Sequence, residues 1–280
     1  MSEGDRLVTP SIIFETSTLK PGTVVKMGIS YTIEPKWHIY WNGQNDSGFA
    51  PEIELQLPDG FVAMEAKWPS PMRHVAEGDI TDHIYEGIVT LIVPVRVPQD
   101  VKEGTEVTFR LKSKWLVCSD RCIPGSGSAS AKILVRSAPS EKSKDYEVIE
   151  ASLRNMPIAF ESGKHDVVVE VKDDHLLIKP KAGEGIELES IAFFPAEQGR
   201  SLVDIAAEGI STRDGEKAPL LDARLSKSRV QTEGASSPRV IGIIEIKHKQ
   251  GVKWYWFDEH TPDKTGPKNE TKSPSGASKK

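Results

Sequence analysis

The chain has 280 residues, 38% hydrophobic and 28% charged, which is enough to bury a core and too much for wholesale disorder. Its 36 basic residues against 41 acidic ones leave a formal net charge of -5, a balance that argues against a nucleic-acid binder. Apolar stretches run for a few residues only, far below the roughly 20 that span a bilayer, so a soluble chain is expected.

Met1 to Asp5 is polar and acidic and shows no basic region followed by an apolar run, so no secretory leader is read there. The chain either stays inside the cell or starts after a removed leader. Short β-rich runs then follow in order: Ser11 to Glu15, Thr23 to Ile33, Glu52 to Leu57, Gly87 to Val97, Glu106 to Trp115 and Ala131 to Val135. Turn signals separate most of them, among them Lys20-Pro21-Gly22, Pro58-Asp59-Gly60 and Pro98-Gln99-Asp100. From Thr23 to Ile33 the apolar residues fall largely on odd numbers, the period of a half-buried strand. This spacing predicts an antiparallel sandwich, immunoglobulin-like in the broad sense. The stretch Trp68 to Glu86, with prolines, acidic residues, His74 and His83, reads as a loop.

Ser137 to Lys144 is a polar Ser/Pro/Lys boundary. Asp145 to Asn155 reads as a short helix with Val148, Ile149 and Leu153 on one face, stopped by Pro157. Strand patterns resume at Asp166 to Val171, His175 to Lys179, Ser190 to Phe194, Val240 to Lys247 and Lys253 to Phe257. The expected architecture is all-β: an immunoglobulin-like sandwich (1–138), a linker with a short helix (139–157), a second β-sandwich-like domain (158–260) and a disordered polar tail (261–280).

The two cysteines, Cys118 and Cys122, are the whole thiol inventory and exclude a disulfide-stapled mini-fold. They follow a strand read as ending at Val117, across a polar turn, with Pro124 limiting further pairing. Residues four apart across a tight turn can reach the roughly 4.4–6.8 Å Cα separation of a disulfide. So small a loop gives little chain-entropy stabilisation, so a pair that opens and closes explains the spacing better than a staple does. Arg121 favours a Cys122 thiolate and Asp120 opposes it. A static disulfide and two inert thiols remain open. A zinc site would need two further ligands, and His38, His74 and His83 lie at no recognisable metal spacing.

A second concentration of unusual residues runs Pro35-Lys36-Trp37-His38-Ile39-Tyr40-Trp41-Asn42. Trp37 or Trp41 serves a sandwich core, and His38 and Tyr40 either support that core or place polar tips beside the cysteines; exposed aromatics would instead make a sugar platform. Trp254-Tyr255-Trp256 is read as core packing. No serine-nucleophile elbow, phosphate loop, dinucleotide fingerprint or HExxH occurs.

In order along the chain come Trp37-His38-x-Tyr40-Trp41, Asp46-Ser47-Gly48, Leu57-Pro58-x-Gly60-Phe61, Trp68-Pro69-x-Pro71, Tyr85-Glu86-Gly87 and Trp115-Leu116-Val117-Cys118-x-x-x-Cys122-Ile123-Pro124. This series, over Ile12 to Val135, resembles the amino-terminal domain of the DsbD/ScsB thiol:disulfide interchange family. In the second half, Phe193-Phe194-Pro195 and Val240 to Ile244 are similar to the longer members, less specifically.

The resemblance implies an immunoglobulin-like domain in the periplasm. It would take electrons from a membrane-embedded transporter through a thioredoxin-like domain and hand them to oxidised extracytoplasmic proteins. It implies that Cys118 and Cys122 are the redox pair, with Cys122 forming the mixed disulfide and no cofactor beyond them. It also implies that Asp82 to Gly87 is a loop capping the cysteines with Ile84 or Tyr85, and that His38 and Tyr40 line the same pocket. The cysteine spacing is shorter than in the best-known member. The 280 residues hold neither the membrane helices nor the thioredoxin-like CxxC domain of full-length members, so the chain is read as a portion of a longer protein or as a stand-alone one with a separate donor. The competing reading is a secreted β-sandwich binding or scaffold module with a permanent Cys118–Cys122 disulfide.

Overall fold

A computed structural model describes residues 2–172, 174–181, 188–197, 202–203, 219–225 and 239–259. The expected tail, 261–280, lies outside the described residues. The chain opens with a five-residue helix, α1 (Glu3–Leu7), capped by Ser2. Eleven strands follow: β1 (Val8–Phe14), β2 (Thr18–Leu19), β3 (Val24–Ile33), β4 (His38–Tyr40), β5 (Glu52–Gln56), β6 (Val62–Ala63), β7 (Met72–Val75), β8 (Thr81–Glu86), β9 (Ile88–Arg96), β10 (Glu106–Cys118) and β11 (Cys122–Val135). Helix α2 (Tyr146–Arg154) leads into β12 (Ile158–Ala159), β13 (Val167–Lys172), β14 (His175–Pro180), β15 (Leu188–Pro195), β16 (Leu221–Arg224), β17 (Ile241–His248) and β18 (Gly251–Asp258).

The first eleven strands make two sheets, β1-β3-β9-β6 and β2-β11-β10-β4-β8-β7, with β5 joining the second along β10. Alternate residues of both sheets meet in one core that includes Met27, Ile29, Tyr31, Trp41, Leu91, Phe109 and Trp115. This is the all-β, immunoglobulin-like arrangement that the odd-numbered apolar residues of β3 foretell. Trp41 is fully buried, as the core reading has it.

Two local expectations are corrected. Met72 to Glu86 is an antiparallel ribbon, β7 on β8, and β8 continues onto β4. Residues Thr81 to Tyr85 are buried there, so two neighbouring strands and the core overrule the loop-like composition. The cysteine hairpin is also longer than expected: β10 runs through to Cys118, and β11 pairs with it residue by residue from Cys122 to Leu134. Pro124 is tolerated because, among the described residues, β11 is an edge over this stretch, joined by β2 only at Leu134 and Val135. Its Gly and Ser residues make room for a large neighbour. A Cβ on Gly125 would stand 2.4 Å from the Trp115 indole nitrogen, and one on Gly127 2.8 Å from the same ring system.

Helix α2 lies against β9, where the Ser152 hydroxyl donates to the Thr90 carbonyl at 2.5 Å. Ile149 is its buried apolar residue and Val148 is exposed, so the helical face is narrower than the spacing suggests. Beyond it, the sheets β12-β18-β17-β15 and β13-β14-β16 close on a second core containing Val167, Ile178, Ile191, Phe193, Ile244 and Tyr255. Of the aromatic triplet only Tyr255 is fully buried; Trp254 is half-buried and Trp256 is 37% exposed. The two cores are joined, since Phe194, Ala196, Ile241 and Ile243 pack into the first. Gln44 adds a reciprocal pair of bonds to the Leu202 backbone, 3.1 Å to its carbonyl and 2.9 Å from its N–H.

Candidate functional site

The long hairpin of β10 and β11 ends at its tip in a disulfide between Cys118 and Cys122, which face each other as the last ladder pair with Cα atoms 4.1 Å apart. That spacing is slightly shorter than the window anticipated from the sequence and close to that of directly opposed residues in an antiparallel pair. On its other side Cys118 pairs with His38 of β4. The register thus sets His38, Cys118 and Cys122 in one row across three strands.

The two sulfurs differ in access. Cys118 is 2% exposed, packed in a small cluster with Tyr40 and Ile84 and with Leu116 at its edge. Cys122 is exposed. The Tyr40 hydroxyl donates to Cys118 Sγ at 2.9 Å and lies 3.6 Å from Cys122 Sγ. Its ring is held on one face by Gly48: a Cβ there would meet the Tyr40 ring at 2.1–2.3 Å, so only glycine lets the chain pass so close. Burial lifts the Tyr40 phenol above its ordinary pKa, and the charge of Asp82 adds to the rise. The phenol therefore remains a proton donor at neutral pH.

Behind Tyr40 stands a buried carboxylate. Asp82, 2% exposed, accepts from the Ser47 N–H at 2.9 Å and from the Ser47 hydroxyl at 2.5 Å, and Ser47 Oγ lies 3.4 Å from Tyr40 Oη. Ser47 stands within the Asp46-Ser47-Gly48 string, yet the sequence marks no role for it. A serine between an acidic residue and a glycine looks like a turn residue until the fold brings β8 beside it.

His38 is buried with its ring edge-on to Tyr40 at 5.4 Å. Burial and the neighbouring His74 push its pKa below the ordinary value, Asp82 opposing. His74 stands opposite Asp82 in the ladder, while His38 stands opposite Glu86. Four residues of strand separate those rows, about 13 Å at the usual rise, yet the two rings meet at 5.2 Å. The β7–β8 ribbon must therefore curl over the cysteine face.

Of the remaining expected residues, Ile84 reaches the site and Tyr85 does not. Asp82 to Glu86 is strand β8, bonded along both edges, so a loop cap built from it is not what the fold contains. Adjacent strand residues point to opposite faces. Ile84 packs on Cys118, whereas Tyr85 enters the main core, donates to the Pro69 carbonyl at 2.5 Å and stacks on Trp68. Arg121 forms an ion pair with Glu3 of α1 at 2.6 Å.

Residues 4–132 match the family described as thiol:disulfide interchange protein DsbD, N-terminal. Among solved structures, the chain is similar to the N-terminal periplasmic domain of ScsB from Proteus mirabilis, at 14% identity and a TM-score of 0.51, over 90% of this chain and 91% of that one. That likeness is one of fold and extends through the second half. The N-terminal domain of Neisseria meningitidis DsbD, in its reduced form, aligns over 51% of this chain and 96% of its own, at 10% identity and a TM-score of 0.31. No curated protein sequence matches the chain. The match that carries the cysteine hairpin falls on the first sandwich, which is therefore similar to DsbD amino-terminal domains.

Proposed function

We propose that the protein is a periplasmic thiol–disulfide exchange module, passing reducing equivalents from a thioredoxin-like or membrane-embedded donor to oxidised extracytoplasmic proteins through Cys118 and Cys122. The observation that carries this reading is the asymmetry of the pair: one sulfur lies open at a hairpin tip, and its bonded partner is buried under Tyr40 and Ile84. In-line attack on a disulfide needs an approach to one sulfur and a leaving path for the other. Cys122 offers the approach. A donor thiolate bonds to Cys122, the Cys118–Cys122 bond breaks, and its electron pair leaves on Cys118; a second donor thiolate releases Cys122. Running the sequence in reverse on an oxidised partner reduces that partner. The cysteine pair is itself the redox group, and no further cofactor enters the scheme.

Periplasmic placement is supported by the setting of the ScsB domain it resembles. No helix among the described residues is long and apolar enough to cross a membrane. Contacts with partners are transient and small, centred on Cys122. The reading treats residues 1–138 as the redox unit and 158–260 as an accessory one.

The test is Cys118→Ser, reduced and mixed with an oxidised partner. A mixed disulfide through Cys122 is expected on non-reducing gels and by mass spectrometry. The reduction potential should also lie above the roughly -300 mV below which structural disulfides typically sit. No adduct together with a potential below that value would mean a permanent bridge.

A further inference from the structure

The cluster behind the inner sulfur has an ordered polarity. Ser47 has one hydroxyl proton, and it is directed at Asp82 Oδ2. Toward Tyr40, Ser47 can then offer only lone pairs. Tyr40 also has one proton, and the nearest acceptor is Cys118 Sγ at 2.9 Å, against 3.4 Å to Ser47 Oγ and 3.6 Å to Cys122 Sγ. The backbone N–H of Ser47 on Asp82 Oδ1 fixes the Ser47–Gly48 turn, and Gly48 fixes the Tyr40 ring. Asp82 therefore reaches the sulfur in two ways, through the turn that seats the phenol and through its charge.

We propose, building on the exchange function above, that Asp82 is a positioning residue for the disulfide chemistry: through Ser47 it seats Tyr40 as the hydrogen-bond donor to Cys118, and its negative charge keeps the freed inner sulfur a thiol. When a donor thiolate bonds to Cys122, the electron pair of the broken bond settles on Cys118, where the Tyr40 O–H meets it. The proton the donor thiol gave up on ionising is matched by one taken up at Cys118. Tyr40 eases departure of the sulfur, and Asp82 opposes its lasting as a thiolate that stray oxidants could attack.

Other ionisable groups face this site. His38 and Glu86 stand on β4 and β8, His74 on β7, and Asp46 beside Ser47 accepts the Thr81 N–H at 2.8 Å. Asp120 and Arg121 occupy the turn, the latter paired with Glu3. Their contributions are common to all the variants below, so differences between variants isolate Asp82, Ser47 and Tyr40.

The experiment takes the full chain carrying Cys122→Ser, which leaves Cys118 as the lone thiol, and follows its ionisation by ultraviolet thiolate absorbance and by alkylation rate against pH. Adding Tyr40→Phe should move the Cys118 titration upward by about one pH unit, and Ser47→Ala should move it the same way by less. Adding Asp82→Asn should move it downward by about one pH unit, and Asp82→Glu, which keeps the charge, should reverse most of that change. In the intact pair, Tyr40→Phe should slow reduction by dithiothreitol several-fold, because a leaving thiol of higher pKa departs more slowly. Simple loosening of the site would move every variant in one direction, toward an ordinary thiol. A common direction, or no movement, overturns the proposal. If Asp82→Asn does not fold, the Tyr40→Phe and Ser47→Ala titrations decide in its place. None of these readings uses a partner protein, so failure of the mixed-disulfide trap and failure of this proposal are separate results.

Discussion

Acidification should weaken this protein through His83. Its ring is 1% exposed, wedged edge-on between Trp41 at 5.9 Å and Phe194 at 4.8 Å, where the two cores join. The ring Nδ1 donates to the Gln44 carbonyl at 2.6 Å, which requires the neutral Nδ1–H tautomer or the cation. Burial is the main cause that pulls its pKa down to about 4; the Gln44 bond opposes this, Arg73 adds to it and Asp82 resists. An unfolded histidine titrates near 6.5. Between those values the unfolded chain binds the extra proton, so stability is complete above about pH 6.5 and falls as the pH drops toward 4. A difference of about 2.5 pH units at 1.36 kcal/mol each gives a loss of roughly 3 kcal/mol. His38 and His165 shift in the same direction, so the measurement is a comparison: urea denaturation of wild type and His83→Gln at pH 7 and pH 4.5. Wild type should lose about 2–3 kcal/mol more than the variant over that interval. Equal losses would show that burial of this ring does not control the acid limb.

Two more substitutions separate the faces of the β4–β8 region. Gly48→Ala inserts a methyl group into the Tyr40 ring, an overpacking that should cost about 1–3 kcal/mol, with a lowered Tm and altered reduction kinetics as the phenol is displaced from Cys118. Unchanged kinetics would mean that the seat of Tyr40 is irrelevant to the sulfur. Tyr85→Phe leaves the buried Pro69 carbonyl without its donor and should cost about 1–3 kcal/mol in denaturant melts, while the reduction potential stays at the wild-type value. A shifted potential in that variant would contradict the placement of Tyr85 in the main core.

Alternation made much of the first sandwich legible. In β3 the apolar residues fall largely with the pleat, and β3 and β9 both fall within a residue or so of their expected bounds. What escaped was structure whose cause lies in other strands. Pro124 to Ser130 is Gly, Ser, Ala and Pro, a composition without a strand pattern. It is a strand because thirteen residues of β10 offer it a partner, and its residues are small because Trp115 lies across them. Trp68 to Glu86 reads as a loop for a related reason: Pro69 and Pro71 precede β7 and Glu77 and Asp79 fall in the turn, while the other half of the ribbon, β8, is almost wholly buried. The brief strand β4 shows only as an aromatic cluster, too short to establish a period.

The same distinction explains what could be known of the site. The ordered motifs identify the cysteines and their neighbours, yet a motif names residues without saying which way they point. Ile84 and Tyr85 are adjacent in sequence and were equal candidates to cover the sulfurs. Once Asp82 to Glu86 is a strand, the pleat allows only one of them there. The register Tyr40 opposite Ile84 puts Ile84 on the face of Cys118, and the same step sends His83 and Tyr85 to the core. It also aligns Asp82 with Ile84, bringing a carboxylate two residues along the strand from the apolar cover of the Cys118 sulfur. A one-residue slip of β8 would exchange these sets, burying Asp82 in the main core without Ser47 and leaving Tyr85 over the disulfide. The side chains of Asn45 and Asp46 resist that slip by accepting from the β8 backbone: the His83 N–H donates to Asn45 Oδ1 at 2.7 Å and the Thr81 N–H to Asp46 Oδ2 at 2.8 Å. The Asn45-Asp46-Ser47-Gly48 segment thus sets the register of the strand, and through it the side chains that surround the cysteine pair.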